Sequence, residues 1–519
     1  MILLNLSFNQ IDHRIGKKET DSSIIIIGAG FAGLAAGIYG QMNGYKTRIF
    51  EMHDKPGGLC TSWKRKGYTF DACIHWLVGS SPESAFHRYW EEVGIASKSD
   101  IINMDEYMRF ESKDGRTLIF YSDIDRLEKH LLAFSPQDSE IINEFISGIR
   151  LCIPFNQPSK KVPFLQRLKK KILLGLTFLI KGKTFQKWMK TSARDFAERF
   201  KDPLLVTAFK EIWIPEFSML FMLFTFAYLH EKNAGYPLGG SMPMSKILED
   251  RYLKLGGEIE YKKKVEKIVV EDNRAVGIRV ADGSEYSAAR IISAADGHST
   301  IFKMLDGRFA DEKTREPYEK WPIFNPLIFV SVGVARTFME EPVTVSGFSY
   351  PLKEPVKIGD AVRDRAWIHI YNHDPSMAPE GKSVIIVMLD SVYDYWKNMA
   401  DNKDAYMKEK EQIGSAIVEI LGQRFPGISE QIEVIDVATP LTFERYTGNW
   451  QGSFEGWLIT PENSNVFMKR MPQYLPGLDN FFMCGQWIEP GGGLPTGIMS
   501  GRRLIKKLCK TDHKKFTAR

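Results

Sequence analysis

The hydrophobic pattern near the start of the chain predicts one βαβ unit. Four β-branched residues in a row, Ile24 to Ile27, are typical of a buried parallel strand. Small residues at helical spacing follow and end at Asn43-Gly44, which is a helix stop signal. Residues 46–51 then have the pattern of a second strand. This order of elements indicates an α/β fold with a parallel sheet.

Two later stretches repeat the strand-rich pattern, and two long stretches separate them. Residues 256–295 contain short strand-like runs with a hairpin signal at Asp282-Gly283, and residues 481–507 follow the order strand, glycine-rich loop, helix. We therefore predict one Rossmann-like domain assembled from three segments, with an α+β domain inserted twice. The predicted bounds are 22–80, 235–298 and 480–508 for the first domain, 81–234 and 299–479 for the second, and 1–21 and 509–519 for terminal extensions.

Composition and charge exclude several classes of protein. The chain has 519 residues, of which 44% are hydrophobic and 26% charged, as in globular proteins. The net charge of +5 comes from Lys160–Lys190, which holds ten Lys or Arg and no acid, so nucleic-acid binding is not expected. Five scattered cysteines without a CxxC pair argue against a metal site and a disulfide framework. With no signal peptide pattern and no long apolar run, we expect a cytoplasmic protein.

The basic stretch also carries an apolar stripe at helical spacing. The stripe is Leu165, Leu168, Ile172, Leu176 and Leu179, and the cations beside it are Arg167, Lys169, Lys170, Lys171 and Lys181. A helix of this kind lies in a membrane interface and prefers anionic lipids. The alternative is an ordinary helix whose lysines are solvated. We expect peripheral association with an anionic membrane surface.

A glycine motif joins the first strand to the first helix. The motif is Gly28-Ala29-Gly30-Phe31-Ala32-Gly33, and Glu51 ends the following strand. The first glycine permits a tight turn, the second lets backbone N–H groups approach a pyrophosphate, and the third lets the helix pack on the strand. An acid at the end of the second strand accepts hydrogen bonds from ribose hydroxyls. Together these features predict dinucleotide binding.

A second glycine pair favours FAD over NAD. Gly57-Gly58 follows the ribose-binding acid and would lie against the pyrophosphate from the other side, and Gly67 to Asp71 comes next. In this order the motifs resemble the FAD-dependent amine oxidase and carotenoid desaturase superfamily. The family's usual Arg after the doublet is Leu59 here. The resemblance implies FAD as cofactor and an FAD-binding domain of the amine-oxidase type.

The C-terminal segment resembles the phytoene desaturase, carotenoid isomerase and retinol saturase branch of that superfamily. Its matching residues begin at Gly485 and continue through Gly491-Gly492-Gly493-Leu494 to Ser500-Gly501. Three further matching stretches are residues 236–242, 374–381 and 439–449. Val265 resembles the start of the family's adenine-side strand. The resemblance extends from Ser22 to Lys507 and implies that these residues hold FAD.

What the resemblance implies is an FAD-dependent oxidoreductase acting on a long apolar polyene or isoprenoid. Hydride transfer at flavin N5 serves desaturation, saturation and isomerisation alike, and neither the direction nor the electron donor or acceptor can be predicted. One alternative is an amine oxidase with Trp76, Tyr446 and Trp487 around the flavin. Another is a non-catalytic FAD-binding lipid carrier.

Three residues near the cofactor motifs are candidates for catalysis: His75, Tyr446 and Glu489. Imidazole titrates near neutrality, so His75 is the favoured proton carrier, the alternative being a structural histidine. Glu489 needs a pKa raised by burial to act as an acid. Residues 217–229 are apolar all round, which indicates either a core helix or the wall of a lipid-sized tunnel.

Overall fold

The computed structural model describes residues 22–96, 99–156, 163–468 and 471–518. The strands are β1 (Ser23–Ile27), β2 (Lys46–Phe50), β3 (Ser62–Arg65), β4 (Tyr68–Asp71), β5 (Leu77–Val78), β6 (Ile101–Ile102), β7 (Glu106–Glu111), β8 (Thr117–Tyr121), β9 (Ala234–Pro237), β10 (Glu258–Glu260), β11 (Val265–Glu271), β12 (Arg274–Val280), β13 (Glu285–Ser287), β14 (Arg290–Ser293), β15 (Leu327–Val334), β16 (Phe348–Ile358), β17 (Ala361–Ile370), β18 (Ser383–Asp390), β19 (Ile432–Ala438) and β20 (Phe481–Met483). The helices are α1 (Phe31–Met42), α2 (His87–Val93), α3 (Ile124–Phe134), α4 (Ser139–Cys152), α5 (Phe164–Met189), α6 (Ala193–Ala197), α7 (Pro203–Glu211), α8 (Met219–His230), α9 (Ser241–Lys254), α10 (Glu312–Lys320), α11 (Tyr393–Lys397), α12 (Lys403–Arg424), α13 (Ile428–Gln431), α14 (Pro440–Thr447), α15 (Asn465–Met468) and α16 (Leu494–Thr511).

A parallel sheet draws its strands from three separated stretches of chain. Its order is β10-β2-β1-β14-β20, with Ile24 paired to Thr47 on one side and to Arg290 on the other. Ile24 and Ile26 pack with α1 and α16, while Ile25 and Ile27 pack with β11 and β12 on the opposite face. The unbroken apolar run is thus explained, because β1 is buried on both faces.

A mixed seven-stranded sheet joins the two long inserted stretches. Its order is β19-β15-β18-β17-β16-β7-β8. The two stretches meet where β16 pairs in parallel with β7, at Phe348 and Arg109. Helix α12 packs on this sheet through Ile413 and Ile417. The stretches that were predicted to form the inserted domain therefore share one layer.

Helices α3, α4, α6, α7 and α8 form an aromatic-rich core beside β7 and β8. Phe145 and Phe226 lie at its centre with ring centroids 5.8 Å apart. The C-terminal end of α5 joins this core through Phe185 and Trp188, which are buried. Within the described residues, no helix is long and apolar enough to cross a membrane.

The N-terminal half of α5 exposes large apolar side chains. Phe164, Leu165, Leu168, Ile172 and Leu173 are 40–70% exposed. Lys169 and Lys181 are also exposed. Lys160 and Lys161 lie outside the described residues, as do the side chains of Arg167, Lys170, Lys171, Leu176 and Leu179.

The C-terminal residues pack onto the parallel sheet. Helix α16 continues past the predicted boundary at residue 508 to Thr511, with Cys509 buried. Asp512 then accepts hydrogen bonds from Arg290 Nη2 at 2.6 Å and from the Tyr45 hydroxyl at 2.7 Å. The carboxylate therefore ties the chain end to β14 and to the start of β2.

We expect Asp512→Ala to lower the free energy of unfolding by about 1.5–3 kcal/mol, because it leaves a mostly buried guanidinium unpaired. Chemical denaturation measures the change. Asp125→Ala is the control, since Asp125 is 79% exposed and its ion pair with Arg150 contributes less than about 1 kcal/mol. Equal losses in the two variants would contradict the role given to Asp512.

Candidate functional site

A cavity of about 1860 Å³ opens beside the carboxyl ends of the parallel strands. Gly33 lies in α1 and is not among the residues that line the cavity. The other residues predicted to bind the cofactor all line it: Gly28, Gly30, Phe31, Ala32, Glu51, Gly57, Gly58, Leu59, Val265, Gly485, Gly492, Gly493 and Leu494. The structure therefore brings motifs from five separate stretches of chain to one place.

Each of the three motif glycines is required for a different physical reason. A Cβ on Gly33 would lie 2.0 Å from the Gly28 carbonyl oxygen, so close packing requires this glycine, and Gly28 itself has φ +97°. Gly30 has an ordinary φ of −70°. Among the described residues, the atom nearest to a Cβ on Gly30 is the Gly57 carbonyl oxygen at 3.9 Å. Protein packing does not explain Gly30, but the close approach of a ligand does, so the loop fits a pyrophosphate.

Glu51 is buried at the end of β2. Its carboxylate accepts hydrogen bonds from Ala29 N at 2.7 Å and His53 N at 2.8 Å. Burial raises the pKa of Glu51, and these N–H bonds oppose the rise. A carboxylate has about four lone-pair sites, so acceptor capacity remains for ribose hydroxyls.

Tyr446 lies at this same end of the cavity. Its ring is 5.3 Å from that of His53, and the residue is 48% exposed. Helix α14, which carries Tyr446, begins with a capping box between Thr439 and Thr442. The prediction that Tyr446 lies at the reacting centre is not supported, because the structure places it beside the residue two positions after Glu51.

The C-terminal glycine loop ends where α16 begins. Gly491, Gly492 and Gly493 all have positive φ, between 67° and 98°. Helix α16 packs closely on α1, since a Cβ on Gly501 would lie 2.8 Å from the Ala32 carbonyl oxygen. The loop therefore presents the positive end of an 18-residue helix to the cavity.

Glu455 also faces the cavity, and the sequence analysis missed it. A Cβ on Gly492 would lie 1.7 Å from Glu455 Oε2, and the Gly493 N–H group donates to the Glu455 carboxyl. Burial raises the pKa of Glu455 to about 8. Glu455 precedes no helix and belongs to no glycine motif, so local sequence carried no signal for it.

His75 lines the cavity but does not titrate near neutrality. Its ring stacks on His369 with centroids 4.9 Å apart. Burial, assisted by His369 and His373, lowers the pKa of His75 to about 3. The expectation of a near-neutral pKa is therefore wrong, and the imidazole is uncharged at pH 7.

Glu489 points away from the cavity. Its N–H group donates to the Gly485 carbonyl oxygen at 3.0 Å, which closes a turn. The turn directs the carboxylate to Arg503 of α16, with which it forms an ion pair. Glu489 is absent from the described residues that line the cavity, so its predicted catalytic role is not supported.

A buried carboxylate fixes the loop that carries His75. Asp71, at the end of β4, accepts hydrogen bonds from Ser241 N, Ser241 Oγ, Cys73 N and Ile74 N, at 2.5–3.1 Å. Nearby, Asp374 accepts from the Tyr236 hydroxyl at 2.9 Å and from Gly239 N at 2.8 Å. Three of the stretches that matched the family thus converge on one polar cluster.

Aromatic side chains form a wall of the cavity. The wall comprises Trp76, Tyr107, Trp213, Phe217, Phe221, Phe224 and Tyr228. A Cβ on Gly491 would lie 3.3 Å from Phe221 Cε1, so the glycine loop touches this wall. The opposite face of α8, including Leu223 and Phe226, is buried in the core. The prediction of a core helix is confirmed for this face, while the other face lines the cavity.

Comparisons with known proteins agree with this geometry. Residues 31–504 match the model of the family described as flavin containing amine oxidoreductase. The chain is 25% identical to a prolycopene isomerase of Daucus carota, covering 95% of this chain and 81% of the relative. It is 25% identical to a lycopene-forming phytoene desaturase of Pseudescherichia vulneris, covering 94% and 99%. The crystal structure of an oxidoreductase from Methanosarcina mazei superposes with a TM-score of 0.59 at 15% identity, covering 93% and 100%.

The family model covers most of the chain, and the cavity carries the residues that a dinucleotide requires. The curated relatives include carotenoid desaturases and isomerases. The chain belongs to the flavin-containing amine oxidoreductase family and is an FAD-dependent oxidoreductase related to the carotenoid desaturases and isomerases.

Proposed function

We propose that this enzyme changes the carbon–carbon double bonds of a long apolar polyene or isoprenoid. One observation carries the proposal: the glycine loops and the aromatic wall line the same cavity. Its volume of about 1860 Å³ exceeds the range of about 300–1,000 Å³ typical of a single ligand pocket. It therefore has room for an apolar chain beside the dinucleotide. The names of the relatives support a carotenoid-like substrate.

Each cofactor-binding residue has a proposed contact. Gly30 and the Gly57-Gly58 doublet approach the pyrophosphate, Glu51 holds the ribose, and the backbone of Val265 meets the adenine. Gly493 and Leu494 bring the N-terminus of α16 to the pyrimidine end of the flavin. Bound FAD supplies hydride exchange at N5. The protein residues orient the two molecules and exclude water.

The charge states of two histidines near the aromatic wall favour a hydrocarbon substrate over an amine. Burial lowers the pKa of His75 to about 3 and of His369 to about 4, so both rings are neutral at pH 7. Of the three aromatic residues considered for an amine site, Trp76, Trp487 and Tyr446 all line the cavity, and Tyr446 lies beside His53. The aromatic wall and the two imidazole rings therefore carry no charge, which suits a chain without charge.

We also propose that the N-terminal half of α5 docks on anionic membranes. Its exposed apolar residues and neighbouring cations form a surface of the kind that inserts into a lipid interface. The buried end of the same helix contacts the cavity wall, with the rings of Phe185 and Phe224 6.2 Å apart. Docking would therefore bring the wall close to membrane-dissolved substrate.

Gly30→Val should lower the flavin content of purified protein several-fold without unfolding it, because its side chain would fill space kept for the pyrophosphate. Flavin absorbance per chain and the melting temperature measure the two effects. Gly422→Ala in α12 is the control, since a Cβ there meets nothing within 4 Å among the described residues. Full flavin content in Gly30→Val would overturn the loop's assignment.

Lys169, Lys181 and Lys183 are exposed cations of α5. Reversing all three to Glu should weaken binding to anionic liposomes by about 100-fold or more, at about 1 kcal/mol per cation. Liposome co-sedimentation measures the change. The matched control reverses Lys353, Lys357 and Lys408, which are exposed elsewhere on the surface. Equal weakening by both triple variants would show a net-charge effect and no docking surface.

Thr225→Trp should reduce kcat/KM for a polyene at least ~10-fold while flavin content stays intact, because the introduced indole ring narrows the cavity beside α8. The assay presents phytoene, prolycopene or lycopene in liposomes and follows products by chromatography. Thr225→Val keeps the volume and should retain turnover. Conversion of putrescine instead of any polyene by the parent enzyme would refute the proposed substrate class.

A further inference from the structure

The proposed reaction leaves one hydrogen unassigned. Hydride exchange accounts for the hydrogen at one carbon of the double bond, and the hydrogen at the neighbouring carbon must travel as a proton. The three candidates named from the sequence do not fit this role. Burial lowers the pKa of His75 to about 3, so it binds a proton only weakly near pH 7, Tyr446 lies beside His53, and Glu489 is paired with Arg503.

Glu455 lines the cavity beside the C-terminal glycine loop. Its carboxyl contacts Gly492 and accepts from the Gly493 N–H group. Cys73 also lines the cavity, and its pKa is raised by a hydrogen bond with Cys60, by burial, and by the nearby charges of Cys60, Asp71 and Glu455. The carboxyl therefore faces the cavity from the side of the C-terminal glycine loop.

The backbone around Glu455 is held firmly. Its carbonyl oxygen accepts from Asn449 Nδ2 at 3.0 Å and from Ser453 Oγ at 2.8 Å. The same Asn449 accepts from Trp487 Nε1 at 3.0 Å, which ties this segment to the turn before the glycine loop. The side chain thus starts from a fixed position, as proton transfer requires.

The surroundings keep the proton on Glu455 at neutral pH. Burial raises the pKa of its carboxyl to about 8, and in the described part of the chain it forms no ion pair. Of the groups that face it, the Cys73 thiol is titratable, while Gly492, Gly493 and Asn449 carry no charge. A carboxyl with a pKa near the working pH serves as acid or base with little cost.

We propose that Glu455 is the acid–base residue of the reaction, which rests on the polyene function proposed above. In saturation, the π bond breaks, one carbon gains a hydride from reduced FAD, and its neighbour gains the Glu455 proton. The products are a saturated bond, oxidised FAD and an ionised Glu455. In desaturation each step is reversed, and the Glu455 carboxylate accepts the proton.

A pH titration without substrate tests whether the Glu455 carboxyl lies beside the flavin. The absorbance of FAD-loaded enzyme is recorded between about pH 6 and pH 10. We expect a spectral change in the parent with a midpoint near pH 8, since a new charge beside the flavin shifts its absorption. The change should vanish in Glu455→Gln, which keeps an oxygen for the Gly493 N–H group, and persist in His75→Phe.

Single-turnover kinetics test the role. Phytoene and lycopene are presented in phosphatidylglycerol liposomes, and the flavin absorbance change is followed. In Glu455→Gln the rate should fall by ~10²-fold or more at unchanged flavin content. Glu455→Asp should retain the pH dependence. A rate that falls above about pH 8 assigns Glu455 as the acid in saturation, and a rate that rises assigns it as the base in desaturation.

The two proposals fail in different ways. If the parent enzyme converts a polyene but Glu455→Gln matches its rate and pH profile, the role of Glu455 is overturned and the polyene function stands. If no polyene reacts, the function fails. If, in that case, the flavin titration is identical in the parent and in Glu455→Gln, the carboxyl does not lie beside the flavin, and the proposal for Glu455 is overturned as well.

Discussion

The structure of the site depends on the buried carboxylate of Asp71, whose oxygens need hydrogen-bond donors. Asp71 is 1% exposed, and removing a carboxylate from water is costly unless several donors meet it. Here the donors are the first residue of α9 and two backbone N–H groups of the following loop. Because a helix N-terminus carries partial positive charge, the Asp71 carboxylate holds α9 against β4, and its bonds to Cys73 N and Ile74 N anchor the loop toward His75. A Cβ on Gly240 would lie 2.3 Å from Asp71 Oδ2, so the glycine before α9 is part of the same constraint.

The elements predicted correctly are those whose causes are local. The run Ile24 to Ile27 and the glycine motif specify strand, turn and helix within one continuous segment, and the structure has them in that order. The pairing of β16 with β7 joins residues that are far apart in sequence, and periodicity carries no information about such a partner. The strand pairing that joins the two inserted stretches was therefore beyond the reach of the pattern, whereas the three segments of the parallel sheet could be predicted.

The sequence also could not predict in which direction the side chains of the catalytic candidates point. Glu489 and Tyr446 were chosen because they lie next to motifs, but adjacency in sequence does not fix direction. A turn closed by the Gly485 carbonyl directs Glu489 toward Arg503. Glu455 lies 37 residues before Gly492, and tertiary packing alone brings them together. Its neighbour Gly456 permits that packing, since a Cβ there would lie 3.0 Å from the Gln486 carbonyl oxygen.

Burial leaves two titratable groups of the cavity, His75 and Glu455, uncharged at neutral pH. It acts in opposite directions on bases and acids, lowering the pKa of His75 to about 3 and raising that of Glu455 to about 8. Both groups are therefore uncharged at pH 7, so an apolar chain meets no bare charge in the wall. The same burial that keeps the imidazole neutral leaves a transferable proton on Glu455, whose carboxyl lines the cavity beside the C-terminal glycine loop. The neutral imidazole of His75 and the protonated carboxyl of Glu455 are thus two consequences of a single physical cause, the burial of both groups.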